Sequence, residues 1–123
     1  MNVFKANALL GRLEFIAPEY LYVEVYNNLE RILAISRYEK DEFNKLFSFI
    51  KSQIEIIPFD AFKDKQQESL RLAPHREDAP YIALSLKFNA KILTGDKGLQ
   101  QSLPDKTLTP AQAYELLLDF SNP

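Results

Sequence analysis

The chain has 123 residues, 46% hydrophobic and 26% charged, with a formal net charge of −2. That describes one globular domain, 1–123, with room for a single core, and the charge argues against broad electrostatic capture of nucleic acid. The absence of cysteine excludes disulfides and thiolate metal sites and suits a reducing cytoplasm. No apolar run approaches the ~20 residues of a membrane span, and the first fifteen residues lack the pattern of a signal peptide.

In chain order, "ANALLGRL" reads as a short helix with Leu9, Leu10 and Leu13 on one side, and "EFIA", 14–17, as a short strand. Pro18 suits a helix start, and Leu21, Val25, Leu29 and Leu33 then repeat at i, i+4 spacing through one helix. Ser36 and Glu39 have capping-box spacing ahead of a helix whose stripe is Phe43, Leu46, Phe47 and Ile50. "IEIIPF", 54–59, is the clearest strand, with Pro58 at its end because proline cannot donate to a ladder. Asp60 reads as the cap of the next helix, "AFKDKQQESLRLA". "PHRED", 74–78, is a polar loop, and "APYIALSLKFN", 79–89, a helix with Pro80 in its first turn. "AKILT" and "KTLT" are strands, and Pro110 opens the last helix. Short apolar strands alternating with amphipathic helices predict an α/β fold with a mostly parallel central sheet, helices covering both faces in three layers.

Three carboxylates stand out in that topology. A helix begins near the carboxyl end of the strand before it, so Asp78, at a helix start, and Asp96, at a strand end, share the carboxyl edge of the sheet. Glu24 lies inside a helix that is apolar along one side. Each also has an ordinary role: first-turn acid or cap for Asp78, turn residue for Asp96, solvated helix position for Glu24. Thr94 reads first as a β-branched strand residue, and His75 as a surface loop residue with no Ser/His/Asp pattern around it. The chemistry that wants converging carboxylates is metal-assisted phosphodiester hydrolysis, because Mg²⁺ and Mn²⁺ are hard cations that take oxygen ligands.

The stretch "DAPYIALSLKFNAKILTGDKGL", 78–99, resembles the PIN domain nucleases, with an Asp, a helix with an Ala-Leu face, a small strand, then Thr-x-Asp and a short helix. "EFIAPEYLYVEVYNN", 14–28, is similar to that family's second strand and following helix, and the order of elements through "LTPAQAYELL" also fits. The resemblance implies an endoribonuclease dependent on Mg²⁺ or Mn²⁺, of the kind found as the toxin of a toxin–antitoxin pair. Glu24, Asp78 and Asp96 would bind the metal and carry catalysis, with Asn2 and Thr94 in support. RNA would be the substrate and an antitoxin protein the partner. The alternative is a non-catalytic interaction module.

The family pattern opens with an apolar strand ending in Asp-x-Asn, and only its Asn, as Asn2, has a counterpart within these residues. One acid fewer predicts weak Mn²⁺ binding and poor cleavage. The neighbours of the absent strand, "EFIA" and "AKILT", would face a gap. They close it by pairing with each other, by using residues 1–4 as a strand, or by docking a second copy. A homo-oligomer is the expectation.

Overall fold

The computed structural model describes residues 2–118. Helix α1 (Asn2–Leu10) stops where Gly11 adopts φ 62°, a left-handed conformation that a Cβ would disfavour. It therefore starts and ends earlier than the expected helix over 6–13. Buried Asn7 pins the turn that follows. Its Oδ1 accepts the N–H groups of Arg12 (3.1 Å) and Leu13 (2.8 Å). Its Nδ2 donates to Leu13 O (2.9 Å) and Gln53 Oε1 (3.1 Å). Gln53 Nε2 in turn donates to Phe4 O at 2.8 Å. Strand β1 (Phe15–Pro18) leaves this turn.

The single helix expected after β1 is two, α2 (Tyr20–Asn27) and α3 (Leu29–Ser36). Asn28 breaks it. Its side-chain Nδ2 donates to Glu24 O at 2.8 Å, sharing that acceptor with its own backbone N–H at 3.1 Å, and its backbone leaves helical geometry at φ −110°, ψ 12°. Helix α4 (Lys40–Lys51) follows, with Phe43, Leu46, Phe47 and Ile50 half-buried as expected. Its N-cap is Glu39 rather than Ser36: Glu39 N–H donates to Glu42 Oε1 at 3.1 Å, while Ser36 Oγ accepts from Tyr38 N–H. The capping pair is displaced three residues along the chain because Arg37, in the left-handed region at φ 63°, separates Ser36 from the helix.

Strand β2 (Ile54–Ile57) ends just before Pro58. Two short 3₁₀ turns, Phe59–Ala61 and Lys63–Lys65, precede α5 (Gln66–Leu72). Asp60 therefore lies inside the first turn, 3.5 Å from Lys63 Nζ, and does not cap α5, whose preceding residue is Lys65. A further 3₁₀ turn, Arg76–Asp78, leads into α6 (Ala79–Phe88), closed by Asn89 at φ 53°. Then come β3 (Ile92–Leu93), α7 (Lys97–Ser102), β4 (Thr107–Leu108) and α8 (Pro110–Leu118).

Both ladders are parallel, as the alternation of elements predicts. β1 pairs with β2, Phe15 opposite Ile54 through Pro18 opposite Ile57, and β3 pairs with β4. They do not join. Among the described residues there are two strand pairs where one central sheet was expected. Two of the anticipated closures are thereby excluded: β1 and β3 do not pair, and residues 2–10 are helix, not strand.

Two apolar clusters hold the molecule together. Ile57, Phe62, Ala83 and Leu84 form one, with Ile16 against it. Val3, Ala113 and Leu117 form the other, with Phe15, Leu93 and Leu108 against it. Successive β1 residues, Phe15 and Ile16, thus serve different clusters, as the two-residue pleat requires. Helix α6 is the central support: Ala79, Ile82 and Ala83 are fully buried. Burying a side chain such as Phe62, Ile82 or Leu117 contributes about 1.5–3 kcal/mol each.

Candidate functional site

The three acids singled out in the sequence sit in or beside helices: one inside a helix, two at helix starts. Glu24 is on α2, directly after β1; Asp78 ends the turn that starts α6; Asp96 follows β3 and caps α7. The Asp96 loop is built by local hydrogen bonds. Thr94 Oγ1 accepts Asp96 N–H at 3.0 Å, and Asp96 Oδ1 accepts Gly98 N–H at 2.8 Å. Gln100 Nε2 donates to Thr94 O at 2.8 Å, and Thr94 N–H donates to Leu108 O at 3.0 Å, tying the loop to β4. Gly98 leaves room for the carboxylate: a Cβ there would lie 3.3 Å from Asp96 Oδ1. Thr94 thus supports Asp96 through the backbone. Asn2 opens α1, and its side chain lies outside the described residues.

The acids feel one another. Glu24 has its pKa raised, first by burial and then by the charges of Glu77 and Asp78, against a lowering hydrogen bond from Tyr81. Asp78 is also raised, first by burial, with the charges of Asp96 and Glu77 adding; its Oδ2 accepts His75 N–H at 3.3 Å, which acts the other way. Asp78 is therefore the shared member, acting on Glu24 and acted on by Asp96. Glu24 and Asp78 are thus within electrostatic reach of each other, as are Asp78 and Asp96.

Sequence reasoning assigned no role to Tyr81 and Tyr20. Tyr81 Oη donates to Glu24 Oε1, and burial together with that carboxylate pushes the phenol far above its ordinary range. Tyr20 is likewise raised, first by desolvation and then by Glu24 and Glu77. The available signal was spacing, because Tyr81 is three residues beyond Asp78, about one helical turn. Tyr20, Gln66, Arg76, Glu77 and Pro80 line an open cleft of about 270 Å³ beside the acids. Gln66 Oε1 is buried there without a hydrogen-bond partner.

A family model described as PIN domain matches residues 5–114. The chain belongs to the PIN domain family. PIN domains are generally nucleases dependent on divalent metal ions. In this PIN domain the donors suit such an ion in kind, being carboxylate oxygens whose burial and mutual repulsion favour a cation. They fall short in number: among the described residues no three Asp, Glu or His side chains are gathered closely enough to hold a metal. No curated protein and no solved structure gives a significant match to this PIN domain. No helix of the described residues is long and apolar enough to cross a membrane.

Proposed function

We propose that this PIN domain is a metal-dependent endoribonuclease of low intrinsic activity, with Glu24, Asp78 and Asp96 as its metal-binding and catalytic acids. The observation that carries the reading is the PIN family match over residues 5–114, and the raised pKa values of Glu24 and Asp78, each from burial plus neighbouring carboxylates, support it. Perturbed acids at the carboxyl edge of parallel strands are the mark of a site whose charge is meant to be met by a cation. Mg²⁺ or Mn²⁺ held there would supply Lewis-acid polarisation of a phosphate and an activated water.

The chain's own groups then have distinct tasks. Asp78, the shared acid, sets the spacing of the other two. Tyr81 holds Glu24 in a fixed rotamer, and Thr94 with Gly98 orients Asp96. Arg76 and Tyr20, in the adjacent cleft, suit a phosphate and a nucleobase of single-stranded RNA respectively. A toxin role, with an antitoxin as protein partner, belongs to the same reading.

The test is calorimetric titration with Mn²⁺ alongside cleavage of a labelled single-stranded RNA. The expected result is weak Mn²⁺ binding and slow, Mn²⁺-dependent cleavage, both lost in Asp96→Asn. Cleavage that persists unchanged in Asp96→Asn sinks the assignment. The second reading, a non-catalytic interaction module, is favoured by the lack of a three-ligand cluster among the described residues. It predicts no Mn²⁺ binding and no cleavage.

A further inference from the structure

The cleft beside the acids holds chemistry that a metal site leaves unused. Tyr20, Arg76, Glu77 and Pro80 line it, around a volume of about 270 Å³. Sites for drug-sized ligands run to about 300–1,000 Å³, so this one has room for a single nucleotide and not for a run of them. The 3₁₀ turn Arg76–Asp78 sets successive side chains about 120° apart. Arg76 and Glu77 line the cleft and Asp78 does not. Tyr20 stands four residues before Glu24 on α2, about one helical turn. A nucleotide in the cleft therefore adjoins the acids without occupying their place. Arg76 and Glu77 are neighbours of opposite charge, yet among the described residues neither forms an ion pair. No ring or cation of the described residues covers Tyr20.

We propose that this cleft is a guanine-binding subsite, in which Glu77 accepts the N1–H and N2–H groups of the base while Tyr20 and Pro80 pack on its faces. The proposal rests on the ribonuclease reading and deepens it by naming the base held next to the acids.

The choice of base follows from the carboxylate. An ionised glutamate only accepts hydrogen bonds, and its two oxygens can take two donors side by side. Among the four RNA bases, guanine alone carries two adjacent donors on its Watson–Crick edge, N1–H and the N2 amino group. Adenine and cytosine each set a ring-nitrogen acceptor beside the amino group, which a carboxylate repels. Uracil offers one N–H between two carbonyl oxygens. Stacking on Tyr20 is open to every base, so it adds affinity and no selectivity. Arg76 brings the positive charge that a phosphate needs beside several carboxylates. Selection therefore falls to Glu77.

The test titrates the full chain, in EDTA, with the 5′-monophosphates of guanosine, inosine and adenosine while amide chemical shifts are read. All three carry the same phosphate, so only the base differs, and the inosine base is guanine without its N2 amino group. The expected result is saturable binding of the guanosine nucleotide that shifts Tyr20 and residues 76–79, with the inosine nucleotide about tenfold weaker and the adenosine nucleotide weaker still. Glu77 is exposed, which makes Glu77→Gln a substitution the fold tolerates. That variant is expected to bind the guanosine nucleotide about tenfold more weakly and to lose the order of preference. Tyr20→Leu is expected to weaken all three alike and keep the order. Equal affinities in the parent, no binding of the guanosine nucleotide, shifts confined to other parts of the chain, or a preference that survives Glu77→Gln overturns the proposal. No readout here depends on metal or on cleavage. A chain that cuts RNA with Mn²⁺ but binds the three nucleotides equally loses the guanine subsite and keeps the ribonuclease reading. One that prefers the guanosine nucleotide through Glu77 and cuts nothing does the reverse.

Discussion

Tyr81 and Glu24 are joined by a hydrogen bond from phenol to carboxylate that ties α6 to α2 across the carboxyl edge of the strands. The bond lowers the Glu24 pKa while burial and the acids around it raise it. Tyr81→Phe removes the donor and leaves the rest. The Glu24 pKa is then expected to rise further, read from the side-chain carboxyl carbon in an NMR titration. The half-buried carboxylate loses its partner, so stability falls by about 1–2 kcal/mol in urea unfolding. An unmoved Glu24 titration would mean that the bond is not formed in solution.

The pH dependence has a definite sign. Glu24 and Asp78 both have folded-state pKa values above their ordinary ones of 4.5 and 3.8. The folded chain therefore binds these protons more tightly than the unfolded chain. Their contribution to stability is fully present below the ordinary values and is lost as pH rises through the raised ones. Glu24→Gln removes that ionisation while its amide oxygen still accepts from Tyr81. Its melting temperature at neutral pH is expected to exceed the parent's by a few degrees, the difference shrinking as the buffer is taken below pH 4.5. Thermal scans across the acidic range check this; an equal shift at all pH values contradicts it.

Gly98→Ala separates the shape of the site from its stability. The added Cβ would press on Asp96 Oδ1 at 3.3 Å. Alanine also gains up to about 1 kcal/mol over glycine in a helix, so the melting temperature should barely move. Mn²⁺ affinity is expected to fall severalfold, since the carboxylate must shift. Unchanged affinity in calorimetry would remove Asp96 from the metal site.

Asn7 carries the most local polar structure in the molecule, four hydrogen bonds to Arg12, Leu13 and Gln53. Asn7→Ala strands the Leu13 N–H and carbonyl, both near the start of β1, without their partners. A loss of about 2–4 kcal/mol is expected in urea unfolding. A smaller loss, under about 1 kcal/mol, would show that water replaces the amide.

Where the sequence was legible, the reason is local. Proline at the head of α6 and of α8, the apolar runs of β2 and α6, and the Thr-x-Asp turn after β3 all depend on neighbours a few residues away. The break at Asn28 and the cap at Glu39 were missed because both turn on local side-chain to backbone hydrogen bonds that residue type alone does not specify. Asp60 has the type and position of a cap, but the chain after Pro58 tightens into 3₁₀ turns instead. A shared edge for Glu24, Asp78 and Asp96 is an expectation from parallel topology; the structure puts Asp78 within electrostatic reach of Glu24 and of Asp96. Tyr81 was not, since a tyrosine on an apolar helix reads as core until its hydroxyl is seen to meet a carboxylate. The divided sheet is a tertiary fact, set by how elements far apart in the sequence pack.

The cluster of Val3, Ala113 and Leu117 draws α1 against α8, and Arg12 Nη1 reaches the carbonyl of Leu117, 105 positions further on, at 3.4 Å. This half of the interior therefore cannot close during most of synthesis. The half built on Ile57, Phe62, Ala83 and Leu84 draws on a short middle span and can form while the chain is still emerging. At roughly 5–20 residues per second, α1 waits several seconds on the ribosome for its partner helix. During that wait, Val3 and the apolar face around it are open to chaperones, and contacts of such long range are slow to close even after release.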